Sequence, residues 1–269
     1  MKFGICTNMH GTKEDPIGLW LIENAVRDGF DYVELPEAQL MDLDQNEFDR
    51  LCEKLSTLGM QCLRNNNFFP LRTRLTGPDV NETEIKDYIE RALARSQALG
   101  VKKVVFGSGP ARNVPQGFSL DEGRRQIVRL LRDFASIAEK SEITIVIEPL
   151  NRTESNIINS FEEGCGISSE VSRENVKVLV DYYHLLKENE PLEHIYQKGR
   201  PFLSHAHLAG DGSARQYPTA ANKDGYIQFF KALKAAAYDD TISLEAYDDD
   251  PPLHMKATLE MIHKLWEKS

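Results

Sequence analysis

Four ionisable side chains each close a short apolar run in the second half of the chain. Glu148 follows Ile145-Val146-Ile147, Asp181 follows Val178-Leu179-Val180, His207 ends Ser204-His205-Ala206-His207, and Glu245 follows Ile242-Ser243-Leu244. If the runs are neighbouring strands of one closed parallel barrel, these residues sit at the strands' C-terminal ends and converge over the barrel axis. Three acids brought that close repel one another and are costly to bury unless a cation compensates them. A divalent metal ion resolves the conflict. Three oxygen ligands and one nitrogen favour Mn2+, then Mg2+ or Co2+, whereas zinc usually prefers more nitrogen or sulfur. Taken singly, each acid is as readily a solvated loop residue, but four in one register are not explained that way.

The elements that must position them are legible as an alternation. Short β-rich runs occur at 2–8, 31–37, 61–69, 102–109, 143–151, 175–184, 203–210 and 241–247. Several concentrate Val, Ile and Leu without clean alternation, as strands buried on both faces of a parallel sheet do. Helical periodicity lies between them: Ile85, Ile89, Ala92, Leu93 and Leu99 in one segment, Ile127, Leu130, Leu131, Phe134 and Ile137 in another. Ser119 with Glu122 and Ser160 with Glu163 have capping-box spacing. Gly29, Gly59 and Gly100 stand where helices must close before a strand. The segments after Ser160 and after Pro191 are the least periodic. Eight strand–helix units, ending on an amphipathic helix over 253–266, predict an α/β (β/α)8 TIM barrel that uses residues 1–269 as a single domain. An open doubly wound sheet would use the same units. Against it, Thr7-Asn8-Met9-His10-Gly11 after the first strand is not a G-x-G-x-x-G loop.

Composition limits the partners. The chain has 32 basic and 42 acidic residues, a net charge of −10, so a phosphate backbone is repelled unless basic residues cluster somewhere. The densest basic stretch, Arg124 to Arg132, is interleaved with apolar residues at helical spacing and reads as a solvated helix face. No nucleic acid partner is expected. Nor is a membrane partner, because no apolar run approaches the roughly 20 residues that a spanning helix needs. The N-terminus lacks the charged and apolar regions of a secretory signal. Cys6, Cys52, Cys62 and Cys165 form no C-x-x-C pair and suit a reducing cytoplasm.

These residues resemble the xylose isomerase-like TIM-barrel superfamily and, within it, the sugar isomerases and ketose 3-epimerases. The likeness runs through Ile147-Glu148-Pro149-Leu150-Asn151-Arg152 with Glu154, Asp181-Tyr182-Tyr183-His184, His205-Ala206-His207, Ser243-Leu244-Glu245, and the stretch Phe229 to Lys234. It implies that Glu148, Asp181, His207 and Glu245 hold one divalent ion, and that Glu148 and Glu245 also act as acid and base on opposite faces of the substrate. It further implies that Glu154 and His184 contact the sugar, and that Arg215 bonds the oxygen at the carbonyl carbon. The loop from Leu208 to Arg215 is about two residues longer than the resemblance leads one to expect. Thr219 stands after Pro218 where a glycine is more typical.

The chemistry agrees with those roles. Removing a proton beside a carbonyl needs a base and a way to stabilise the enediolate, which a cation helped by Arg215 and His184 would supply. The expectation is a metal-dependent sugar isomerase or epimerase acting on a ketose or related keto-polyol, with a small-molecule partner; related barrels often pair as dimers or tetramers, and the sequence leaves the homo-oligomeric state open. The principal alternative is a dehydratase of a keto-polyol, in which the enolate expels a β-hydroxyl. A DNA-repair endonuclease would need several more histidines at the strand ends, and a non-catalytic binding barrel would tolerate loss of Glu148 and Glu245. Three further groups have two readings. His205 shares a strand face with His207 and is expected to support it from within the barrel. Glu34 and Glu37, ending the second strand, either line the pocket or pack.

Overall fold

The computed structural model describes residues 1–210, 212 and 214–269. Eight parallel strands follow one another around a closed barrel: β1 (Lys2–Cys6), β2 (Tyr32–Pro36), β3 (Gln61–Asn66), β4 (Lys103–Phe106), β5 (Thr144–Ile147), β6 (Val176–Asp181), β7 (Leu203–Leu208) and β8 (Thr241–Leu244), with β8 pairing back onto β1. The helices around it are α1 (Ile22–Asp28), α2 (Glu37–Leu40), α3 (Gln45–Leu58), α4 (Glu82–Ala98), α5 (Gly109–Arg112), α6 (Leu120–Glu139), α7 (Phe161–Val171), α8 (Tyr182–Lys187), α9 (Glu193–Lys198), α10 (Lys223–Ala235) and α11 (Pro251–Lys268). The expected TIM barrel is the observed fold, and each expected strand contains an observed one.

The strands are shorter than the β-rich runs, chiefly at their C-terminal ends. There the chain leaves the sheet while its composition is still apolar, as at Pro149 and Leu150 beyond β5. The start signals work as expected: the hydroxyls of Ser119 and Ser160 accept from the backbone N–H of Glu122 and Glu163 and open α6 and α7. The basic stretch lies on α6, where Arg124, Arg125 and Arg129 pair with exposed Glu170 and Glu122. The weakly periodic stretch after β6 is two six-residue helices, α8 and α9, broken around Asn189, which has φ 51°, and Pro191.

Two cores result. The larger one packs the outward faces of the strands against the helices. Inside the barrel the apolar filling is a separate cluster of Val105, Val146 and Leu179, from β4, β5 and β6. The rest of the interior is polar. Side chains alternate across each strand, so Tyr32 and Glu34 of β2, His205 and His207 of β7, and Ser243 of β8 share the inside and touch one another. A register shift between Val33 and Glu34 marks an irregularity at the point where β2 delivers that glutamate. At the bottom, Arg64 reaches Asp240 and Thr241, and Lys103 pairs with Asp240.

Glu37 does not join this interior. Its side chain turns outward toward α4, where Ser96 Oγ donates to Oε2 at 2.7 Å and Asn65 Nδ2 donates to the same oxygen. Oε1 has no hydrogen-bond partner among the described residues. Burial pushes this carboxyl from the ordinary 4.5 up to about 7, against the pull of Ser96 and Asn65. The proton kept in the fold therefore stabilises it fully below pH 4.5, and that contribution is lost as pH rises through 7. Relative to Glu37→Gln, wild type should lose about 3 kcal/mol across that interval, at 1.36 kcal/mol per unit, in urea unfolding at stepped pH. Parallel pH slopes for the two proteins would overturn the assignment.

Candidate active site

The strand ends bring the four expected residues to one point. Glu148 follows β5, Asp181 ends β6, His207 lies near the end of β7 and Glu245 follows β8. One ligating atom from each lies within 4.8 Å of the others, and all four residues are buried. Register explains part of this: Asp181 is paired with His207, and His207 with Ser243 two residues before Glu245. His207 is central. Its Nδ1 lies 3.2 Å from Glu148 Oε1 and 2.8 Å from Glu245 Oε2, while its Nε2 faces Glu34 Oε1 at 3.0 Å.

The electrostatics are those of crowded acids around few cations. Burial and the neighbouring Glu245 raise the Glu148 carboxyl above its usual range. Burial opposes charge on Asp181 as well, but Arg215 and His184 outweigh it and hold that carboxyl low. For His207 burial works against the imidazolium, yet Glu245 and Glu34 hold its pKa well above the ordinary value. Three carboxylates and an imidazole nitrogen converging in a buried space suit a hard or borderline divalent cation. The site could hold such an ion through Glu148, Asp181, His207 and Glu245 without any further ligand from the protein.

The three expected substrate contacts stand at the same mouth. Arg215 Nη2 donates to Asp181 Oδ2 at 2.5 Å and to Glu245 Oε2, and its Nε donates to the Glu245 carbonyl at 3.0 Å. His184 Nε2 lies 3.6 Å from Asp181 Oδ2, and Glu154 Oε2 lies 4.0 Å from the same ring nitrogen. Asn151 ties the last two together, donating from Nδ2 to Glu154 Oε1 at 2.9 Å and from its backbone N–H to His184 Nδ1 at 3.2 Å. The cavity above them encloses about 1000 Å3 and continues over Asn8, Asn67, Phe69, Arg72 and Tyr247. Part of the long loop before Arg215, Asp211 and Ser213, lies outside the described residues.

Other contributors carry no signal of their own in the sequence. Gly107, just beyond β4, leaves the space that Glu148 occupies, because a Cβ there would lie 2.1 Å from Glu148 Oε2. Arg112 is fully buried and donates to the backbone carbonyls of Glu148 at 2.7 Å and Phe106 at 3.1 Å, clamping the ends of β4 and β5. It has no carboxylate partner in contact among the described residues, and burial lowers its pKa to about 10. His205 lies beneath the cluster as expected, and Glu34, whose placement the sequence left open, lies there with it; neither lines the cavity. The glycines after β4 and the arginine five residues beyond Gly107 stand in the sequence, but nothing local gives them a role.

The family model described as xylose isomerase-like TIM barrel matches residues 22–265. An L-ribulose 3-epimerase of Methylomonas sp. is 31% identical over 182 residues, 66% of this chain and 59% of that protein, so the match spans less than two thirds of its length. A probable ketose 3-epimerase of Synechocystis sp. is 24% identical over 256 residues, 92% of this chain and 85% of that protein. Among solved structures, a D-psicose 3-epimerase of Clostridium cellulolyticum H10, crystallised with D-tagatose, has the same fold. It superposes with a TM-score of 0.84 at 19% identity, covering 99% of each chain.

The packing of Gly107 yields a direct test. Gly107→Ala forces the Glu148 carboxylate out of its place. Mn2+ affinity in calorimetric titration should fall about tenfold or more, the scale on which misplaced supporting groups act at metal sites, with the circular dichroism spectrum retained. Unchanged affinity would mean that Glu148 does not ligate from this position.

Proposed function

We propose, from the premise that the chain belongs to the xylose isomerase-like TIM barrel family, that it is a divalent-cation-dependent sugar isomerase or epimerase acting on a ketose or related keto-polyol. The observation that carries this reading is the pair Glu148 and Glu245, which approach His207 Nδ1 together and share one buried cluster with Asp181. The ketose 3-epimerases among its relatives support the same class of reaction. When bound by Glu148, Asp181, His207 and Glu245, a divalent ion would supply the positive charge against which negative charge develops on the substrate oxygens. Mn2+ suits this donor set best, with Mg2+ and Co2+ next.

The remaining work falls to the chain's own groups. Glu148 and Glu245 reach the reacting carbon from different strands, one after β5 and one after β8, so that one carboxylate takes the proton and the other can return one to the opposite face. Arg215 bridges Asp181 and Glu245 and would donate to the carbonyl oxygen, favouring charge there. His184, fixed by Asn151, and Glu154, whose side chain is 43% exposed at the edge of the mouth, would bond substrate hydroxyls. The four unpaired thiols fit a reducing compartment, for which the cytoplasm is our reading.

The test uses metal-stripped protein reloaded with Mn2+ and offered a panel of ketoses in D2O. Turnover with deuterium placed on the carbon next to the carbonyl is expected, and Glu148→Gln and Glu245→Gln should each lower kcat by about 10²–10⁴-fold, the usual weight of a general acid or base. An unsaturated ketone as product would replace epimerisation by dehydration. Retained Mn2+ binding with no exchange from any ketose would remove the reading.

A further inference from the structure

Beneath the cluster a chain of hydrogen bonds runs down the barrel, and its direction follows from what each group can donate. Arg64, 3% exposed, can only donate, and its Nε and Nη2 lie 3.2 and 3.0 Å from Thr241 Oγ1. The Thr241 hydroxyl therefore accepts from Arg64 and turns its own proton to the remaining neighbour, His205 Nδ1, at 2.9 Å. Nδ1 also lies 3.2 Å from the Thr241 carbonyl oxygen, but the hydroxyl is nearer and its proton has no other neighbour among the described residues, so Nδ1 accepts, and His205 carries its proton on Nε2 and donates it to Glu34 Oε2 at 2.9 Å. Ser243 Oγ donates to the same oxygen at 2.5 Å and is itself bonded by the Tyr32 hydroxyl at 2.7 Å. Oε1 of Glu34 is left for His207 Nε2, 3.0 Å away.

Every member is buried, with Glu34, His205, His207 and Ser243 all at 0% exposure, so water does not offer an alternative partner. A carboxylate held in this way accepts only. His207 must then keep a proton on Nε2, and the nitrogen it can offer as a ligand is Nδ1, the one aimed between Glu148 and Glu245. We propose that Glu34 is a positioning residue which fixes His207 in the Nε2–H tautomer, and that Arg64, Thr241 and His205 set the orientation of Glu34 from the base of the barrel. This rests on the reading of Glu148, Asp181, His207 and Glu245 as a cation site. It adds to that reading a residue from β2 that contacts neither ion nor substrate.

Glu34→Gln separates orientation from bulk. The carboxamide oxygen is demanded by two donors, His205 and Ser243, so its NH2 faces His207 and forces Nε2 to accept. That moves the His207 proton to Nδ1 and sets it against the ion. Mn2+ titrated calorimetrically into metal-free protein should bind Glu34→Gln about 10–100-fold more weakly than wild type. Thr241→Val, which keeps the volume but removes the proton given to His205, should fall between the two. A spectroscopic arm does not depend on any variant: 15N-resolved histidine spectra of the Mg2+-loaded wild type should place the His207 proton on Nε2. Equal Mn2+ affinities for wild type and Glu34→Gln, or a proton on Nδ1 in the loaded protein, overturn the tautomer lock and leave the cation site standing. Absence of Mn2+ binding by wild type removes both.

Discussion

Negative charge packed where water is scarce is the constraint on which this structure turns. Glu34, Glu148, Asp181 and Glu245 are between 0% and 7% exposed and lie around one imidazole. Carboxylates in that setting repel and lose hydration, so the fold is sustainable only if positive charge and donors are delivered to the same place. The chain delivers them from every side. Arg215 spans Asp181 and Glu245 from the loop after β7, His207 stands between Glu34 and the two catalytic candidates, and the Asp181 carboxylate also accepts the N–H of Tyr183 at the start of α8. A divalent cation belongs to this logic as the group that the arrangement can most readily accommodate.

How much of this was legible in the sequence follows from which interactions are local. The residues at the ends of β5 to β8 could be read because each closes an apolar run, and a parallel barrel turns such positions toward one point. Glu154, His184 and Arg215 could be assigned only by resemblance; their meeting depends on Asn151 and on the path of the loop before Arg215. Glu34 remained open between lining and packing because its partners lie 171 and 173 residues away. Arg112 and Gly107 were missed for the same reason. One needs the carbonyl of Glu148 to have a role, the other needs the Glu148 carboxylate.

Strand ends were the other misreading, and it has a functional cause. Beyond β5 the residues Pro149 and Leu150 stay apolar and continue the β-like pattern, yet the backbone leaves the sheet there to carry Asn151 toward His184. Hydrophobic composition reports burial, and the loops at this end of the barrel are buried by one another. A pattern of burial therefore overruns the ladder wherever a site is built on top of it.

The division of the barrel interior gives those loops their freedom. On the side of β4, β5 and β6 the interior is filled by Val105, Val146 and Leu179. Opposite them runs the polar chain from Arg64 to His207. An apolar flank lowers the local dielectric, which strengthens each bond in the polar half and raises the cost of breaking one. His207 is thereby anchored to the body of the barrel, while Asp181 and Glu245 also take Arg215 from the loop after β7. Arg72 and Tyr247, by contrast, are exposed at the mouth and bond to none of the four. Neither side chain takes part in the charge balance beneath, so positions like these can vary on one scaffold while a buried cluster stays the same.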